Sequence, residues 1–462
     1  MAESLTDFLT GTILPLFLLI AGIFYGIRLH FFPFTYLPVI LRVLGRKNPK
    51  SGVSPFRSLS LALAGTLGVG NIVGVASAVS MGGAGAVFWM WVSAILAMLL
   101  KYAEVFLSQR YRHRTGNAWH GGAPYYIKEG LSAHGFPRLG TILSIAFCVL
   151  CIADSFTTGC SIQSAAVARS LQGVIGFPPF LCGLLLAIAC FLLLIRGTNA
   201  VLRVTDLLVP LMCGGFLFLS IICMAARPHE ILPALGKIFR EAFTPQSATG
   251  GVFGFFLSRA VRFGTMRGLL SNEAGCGTSP FAHAAADADS PVEQGFFGIF
   301  EVFVDTILLC TVTAVVIIMN PAGTSAFPDN PVMAAIRAYS SVFRGAASEA
   351  IEVFLAFSVL CFGFATLLCW AHYGLECVRW LFGNRKGVRL SYIFTFSAVI
   401  FLGAVAAPQF LWNFADLTIA LMLFLHVPIL CFFSDEVRRE TLSYFPILTP
   451  NKKRIREFTK SP

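Results

Sequence analysis

Apolar runs long enough to cross a bilayer recur along this chain from about residue 9 to residue 434. Inside the hydrocarbon layer every backbone N–H and C=O must be bonded within the protein, so only helices and closed barrels can span it. A spanning helix needs about 20 predominantly apolar residues, and a barrel strand about half that. The runs here have helical length. Charged residues make up only 12% of the 462 positions, against about 25% in soluble domains. That is too few to cover a water-facing surface. The sequence therefore reads as an all-α membrane protein with about eleven transmembrane helices. They lie near 9–29, 56–80, 83–110, 139–172, 179–196, 204–226, 250–275, 292–319, 349–383, 388–408 and 411–434. The chain starts acidic, without a basic region ahead of its first apolar run, so that run is expected to be retained as a helix and not cleaved as a signal.

The net charge of +11 is concentrated in connections and in the tail. Arg42, Arg46, Lys47, Lys50 and Arg57 follow the first span, and Arg110, Arg112, Arg114 and Lys128 follow the third. Arg385, Lys386 and Arg389 follow the ninth, and Arg438, Arg439, Lys452, Lys453, Arg454 and Arg456 lie in the tail. Alternating spans put all four groups on one side. The positive-inside rule then places the N-terminus outside and the C-terminus in the cytoplasm. The connection after the seventh span instead offers Asp287 and Asp289. This distribution suits orientation in a lipid bilayer and not a nucleic-acid partner. Thirteen cysteines lie mostly in apolar segments. Cys148 and Cys151 have CxxC spacing but no second pair, and are read as small apolar packing residues.

Two spans are built to come apart. "GTLGVGN" at 65–71 puts three glycines and an asparagine inside an apolar run. An interior glycine costs about 1 kcal/mol relative to alanine. "RGLLSNEAGCGTSP" at 267–280 does the same, with Ser271, Asn272 and Glu273 followed by Gly275, Gly277 and Pro280. With the first helix set aside, each interrupted helix opens a block of five spans, 56–226 and 250–434. An odd number of spans per block inverts the second block relative to the first. Inverted repeats with matching interrupted helices point to a binding site at mid-membrane. The division expected is an N-terminal helix and loop (1–50), two repeats (51–230 and 231–434) and a basic tail (435–462). Each freed backbone group costs several kcal/mol if left unpaired. A ligand carboxylate can accept freed N–H groups, and a cation can take freed carbonyls. The glycines also suit close helix crossing, but their matched positions, each with an asparagine, favour a ligand. Gly68, Gly70 and Gly74 are spaced GxGxxxG, not as a dinucleotide fingerprint. Neither a P-loop nor an HExxH motif occurs, and Ser279 and His283 lack a GxSxG elbow. No enzymatic activity and no cofactor is expected.

At these motifs the sequence resembles the alanine-or-glycine:cation symporter family. "GTLGVGNIVGVASAVSMGGAGAVFWMW" at 65–91 is similar to its first core helix, and "LKYAEVFLSQRYR" at 100–112 and "GGAPYYI" at 121–127 continue the match. "RGLLSNEAGCGTSPFAHAAA" at 267–286 and "QGFFGIFEVFVDT" at 294–306 resemble its second repeat, with looser matches at 364–377 and 414–422. The resemblance implies a leucine-transporter-type fold of five-plus-five inverted helices with one extra N-terminal helix. It implies inward carriage of small neutral amino acids (alanine, glycine, including D-alanine) with sodium, or in some members protons, across a bacterial plasma membrane. Amides near Gly68, Val69 and Gly70 would hold the substrate carboxylate, and Asn71 would fix the unwound segment or touch the ligand or ion as part of the substrate site. Ser271, Asn272 and Glu273 would serve the ammonium or brace the second break. Gln163 matches a pocket glutamine, and Trp370 would wall the pocket. The carbonyls of Ala64 and Leu67 with the Thr366 hydroxyl would hold the sodium ion, a hard cation on hard oxygens. The chain departs from the family pattern at Cys160, Ala165, Cys369, Ile419, Ala420, His426 and Val427.

Other readings stay open at this stage. They are a proton-coupled permease, an ion or solute channel, and a sensor that binds without transport; no oligomeric state is implied. Lys101 and Glu104 read as an intrahelical pair. Asp154, Asp206, Asp305 and Asp416 are costly in or near spans and so are functional candidates by default. His283 belongs to the family pattern with no chemical role assigned, and His372 and His426 read as structural.

Overall fold

In a computed structural model of the chain, residues 11, 13–46, 53–116, 118–243, 259–320, 330–405 and 408–445 are described. Lys47, Lys50, the upstream part of the seventh span (250–258) and the tail beyond 445 lie outside them. Apart from one antiparallel hairpin, β1 (His113–Thr115) with β2 (Ala118–His120), the regular structure is helical. In chain order the helices are α1 (Leu14–Arg28), α2 (Pro55–Thr66), α3 (Val73–Gly82), α4 (Gly85–Arg110) and α5 (Ala123–Ala133). Then come α6 (Pro137–Ile175), α7 (Pro179–Ile195), α8 (Thr198–Ala226), α9 (Ile231–Ala242), α10 (Arg259–Asn272) and α11 (Ser279–Ala284). The last are α12 (Pro291–Met319), α13 (Pro331–Ser340), α14 (Ala346–Phe382), α15 (Lys386–Val405), α16 (Pro408–Phe432) and α17 (Ser434–Tyr444).

Among the described residues, seven helices are long and apolar enough to cross a membrane: α4, α6, α8, α12, α14, α15 and the stretch Phe414–Phe432 of α16. The two halves of the first broken span, bent by 63°, make an eighth if counted as one. Apolar α1 and α7 have only 15 and 17 residues. Starts are marked by a capping side chain followed by proline. Ser54, Ser290 and Asn330 accept the amides of Arg57, Glu293 and Met333 at 3.2, 3.1 and 3.3 Å, ahead of Pro55, Pro291 and Pro331. This arrangement satisfies a freed amide and wastes none on a residue that has no N–H.

The centre is built around α4, against which α10, α11 and α12 pack, while α2 packs on α14 and α14 on α6. Connections separate onto two faces. On one, Arg28 pairs with Asp435 at 2.6 Å, Arg46 with Glu293 at 3.5 Å, and the Asp287 amide bonds the Val53 carbonyl at 2.8 Å. On the same face Arg379 reaches His120 at 2.9 Å and Arg389 the Leu194 carbonyl at 3.0 Å. On the other, the Ala84 amide bonds Glu241 at 2.8 Å, Trp89 the Ala242 carbonyl at 3.1 Å and Arg227 both Asn320 (2.6 Å) and the Ser341 carbonyl (2.9 Å). Leu207, Phe218 and Phe394 leave 73, 67 and 68% of their surface exposed on the flanks. Hydrocarbon is the solvent that such flanks suit.

Candidate functional site

The first break begins where α2 stops at Thr66. Leu67 (φ −78°, ψ 60°) and Gly68 (φ −92°, ψ −162°) leave helical geometry, a single tight turn covers Val69–Asn71, and α3 resumes at Val73. The cost of unwinding is offset by side chains from other helices. The Val69 amide donates to Gln163 Oε1 at 3.1 Å, and Gln163 Nε2 donates to the Thr158 carbonyl at 3.1 Å. Thr366 Oγ1 lies 3.0 Å from the Ala64 carbonyl and 3.0 Å from Phe362 O, and Cys369 Sγ lies 3.0 Å from Leu61 O. Gly68 is needed for this closeness: a Cβ there would sit 2.9 Å from Thr366 Oγ1 and 3.0 Å from Gln163 Oε1.

Beyond α10 the second break is held open by three left-handed residues, Glu273 (φ 52°), Gly275 (φ 86°) and Gly277 (φ 79°). Asn272 Oδ1 takes the Ala274 amide at 3.1 Å, closing a local turn. Glu273 pays for its strained backbone with contacts: Trp370 Nε1 donates to it at 3.0 Å and Thr278 Oγ1 at 2.8 Å. Glu104 takes the Gly277 amide at 2.9 Å, and His426 Nδ1 lies 2.6 Å from the Gly275 carbonyl. The Lys101–Glu104 pair therefore does more than brace α4. Its two charges are 4.0 Å apart, whereas Lys101 Nζ is 2.8 Å from Ser279 Oγ and 3.5 Å from Glu301. His283 reaches Glu301 at 3.0 Å and accepts Gln294 at 2.7 Å, which gives it a structural role beneath the break.

Asp305 ties the two breaks together. Asn71 Nδ2 donates to its Oδ1 at 2.7 Å, and Ser271 and Thr306 donate to its Oδ2 at 2.8 and 2.6 Å. Asn272 Nδ2 also reaches Thr306, at 3.2 Å. Asp305 and Thr306 stand in a wide π-helical turn of α12, Phe303–Cys310.

Between the breaks lies a small cavity of about 30 Å³. Gly68, Val69, Gly70, Gln163 and Glu273 line it, together with Thr158 and Arg267. Asn71, Ser271 and Asn272 face Asp305 and Thr306 instead. Trp370 stands behind Glu273 and packs on the α6 turn, where a Cβ on Gly159 would meet its ring at 2.3 Å. Ala64 and Thr366 are brought together, and Leu67 is the first residue past the helix. Arg267 lies 4.0 Å from Asp416, and Asp206 pairs with Arg57 at 2.6 Å. Thr158 and Arg267 both escaped sequence reasoning: nothing in "TTGCS" marks a side chain as inward, whereas the charge of Arg267 inside an expected span was a signal left unread. Asp305 did carry a signal, its cost within an apolar run.

Interrupted helices meeting at a buried cavity, among described residues that are nearly all helical and with lipid-suited flanks, define a membrane transporter fold. A solved manganese transporter of Eremococcus coleocola shares it at a TM-score of 0.52 over 85% of this chain and 80% of that one, with 15% identity. The chain belongs to the sodium:alanine symporter family, whose profile matches residues 1–458. The sodium/alanine symporter AgcS of Methanococcus maripaludis is 34% identical over 421 residues, 90% of each chain. A putative sodium/proton-dependent alanine carrier protein of Bacillus subtilis, YrbD, is 30% identical, covering 97% of this chain and 94% of its own.

Proposed function

We propose that this chain imports alanine together with sodium, and accepts glycine and D-alanine as further small substrates. The observation that carries the reading is the cavity walled by the unwound backbone at Gly68–Gly70, Gln163 and Glu273. The substrate carboxylate is read as lying against the Gly68–Gly70 amides and its ammonium toward Glu273. Asn71 and Ser271 hold the two unwound segments in register through Asp305, Asn272 does so through Thr306, and Trp370 fixes Glu273. The Ala64 and Leu67 carbonyls and the Thr366 hydroxyl are read as the sodium site. A small cavity disfavours larger side chains, although each added methylene is discriminated by only about 1–3 kcal/mol.

The architecture proposed is five-plus-five inverted helices, 51–230 and 231–434, after an extra N-terminal helix, making eleven spans in all. The segregation of connections onto two faces supports this alternation. The face that gathers Arg28, Arg46, Arg379 and Arg389 is read as cytoplasmic and the membrane as a bacterial plasma membrane, with the N-terminus outside. Alternating access then exposes the mid-membrane site to each side in turn.

The test is uptake of radiolabelled alanine by proteoliposomes holding the purified protein. An inward sodium gradient is expected to drive accumulation, and its removal to abolish it. Accumulation driven equally by a proton gradient without sodium would show a proton-coupled permease. Gradient-independent equilibration would show a channel, and binding without uptake a sensor.

A further inference from the structure

Asp154 has no part in the cavity, yet it is completely buried near the middle of α6. Among the described residues it has no ion pair with any lysine, arginine or histidine. Three hydroxyls converge on its Oδ1: Thr158 at 2.7 Å, Thr418 at 2.8 Å and Thr157 at 3.1 Å. Its Oδ2 has no hydrogen-bond partner at all. An ionised carboxylate left like this in a membrane interior is costly, and needs a positive charge beside it. The local backbone is built around the group: α6 widens into a π-helical turn at Thr157–Ser161, directly after Asp154, and such turns gather at functional sites.

We propose that Asp154, Thr157, Thr158 and Thr418 bind an alkali cation, sodium, at a site separate from Ala64, Leu67 and Thr366. The donor set is all oxygen and carries one negative charge, which suits a hard monovalent ion. Two of the three hydroxyl protons have another acceptor when the ion arrives. Thr418 Oγ1 is 3.0 Å from the Ala415 carbonyl and 3.1 Å from that of Phe414, and Thr157 Oγ1 is 3.2 Å from the Asp154 carbonyl. Turning toward these acceptors frees hydroxyl lone pairs for the cation. The ion joins two helices, since Thr418 belongs to α16 and the other three residues to α6.

The site also communicates with the cavity. Thr158 lines it, the Thr158 carbonyl accepts Gln163 Nε2, and Gln163 Oε1 holds the Val69 amide. Occupancy at Asp154 thus bears on the segment that receives the substrate carboxylate. The inference rests on the sodium coupling proposed above, and its test separates the two.

Binding of ²²Na⁺ to the purified full-length protein, with and without alanine, is compared for wild type, Asp154→Asn and Thr418→Val. Asp154→Asn is expected to lower the amount bound at saturation, leaving the ion held at Thr366. Thr418→Val, which keeps shape and removes one oxygen, is expected to weaken one component about tenfold or more. It decides the matter if Asp154→Asn fails to fold, as judged by loss of the folded peak in size-exclusion chromatography. Both variants binding ²²Na⁺ like wild type would overturn the Asp154 site while leaving sodium coupling intact. Unchanged ²²Na⁺ binding in Asp154→Asn, with the pH dependence of alanine uptake lost, would show a proton carrier there and also overturn it. Wild-type protein that binds no ²²Na⁺ would overturn the coupling itself.

Discussion

Gly68 and Gly70 stand two positions apart and face different constraints. A Cβ on Gly68 would press on Thr366 Oγ1 and Gln163 Oε1, whereas one on Gly70 would come no nearer than 3.9 Å to anything outside its chain neighbours. Gly68→Ala is therefore expected to disturb both the Thr366 hydroxyl, proposed above for sodium, and Gln163, lowering alanine uptake by about tenfold, equivalent to about 1.4 kcal/mol. Gly70→Ala fits the protein without strain. It should leave the melting temperature unchanged and still weaken alanine binding, because the added methyl takes ligand space. Unimpaired alanine binding in Gly70→Ala would move the carboxylate elsewhere. Gln163→Leu leaves the Val69 amide buried without an acceptor, a cost of about 1–3 kcal/mol. A lower melting temperature and weaker alanine binding, measured on the same sample, are expected. The glycines and asparagines of the breaks were legible in the sequence because their helix propensities are poor where a span should be strong. Thr158 was not, since the inward orientation of a threonine depends on a neighbour's position and not on residue type.

At the scale of elements, both breaks are propped by groups from helices that are themselves continuous. The second is the more charged: Lys101, Glu104 and Glu301 are fully buried beneath it, around Ser279 and the Gly277 amide. Lys101 lies close to both glutamates, at 4.0 and 3.5 Å. Lys101→Met removes that shared charge, and breaking a buried pair in this way costs about 3–5 kcal/mol. Size-exclusion chromatography of detergent-extracted protein should show aggregation or loss of the folded peak, where Lys101→Arg retains it in part. The sequence could suggest the i, i+3 pair but not the third partner, which arrives from α12 some two hundred residues on. The two π-helical turns were equally hidden. "FVDTILLC" carries no breaker and "TTGCS" only the single Gly159, and the widening is set by what packs against them.

For the whole molecule, the apolar flanks decide where the protein can reside. Leu211 lies near the middle of α8 with 65% of its surface exposed. Leu211→Arg is expected to cost about 2.5–3.5 kcal/mol of insertion, seen as a reduced membrane fraction on expression, while Leu211→Phe behaves as wild type. The helical membrane class was readable from the apolar runs, and the structure holds seven helices long and apolar enough to cross a membrane among the described residues. Apolar α1 and α7 show the limit of that reading, because at 15 and 17 residues they fall short of the length a span is read by. The account's central claim is that a substrate zwitterion completes the two interrupted helices. Its most direct test is a structure of the protein determined with alanine and sodium bound. Alanine is predicted between the Gly68–Gly70 amides and Glu273, with both breaks still unwound. Alanine bound away from both breaks, or a first core helix continuous from Pro55 to Gly82, would contradict it.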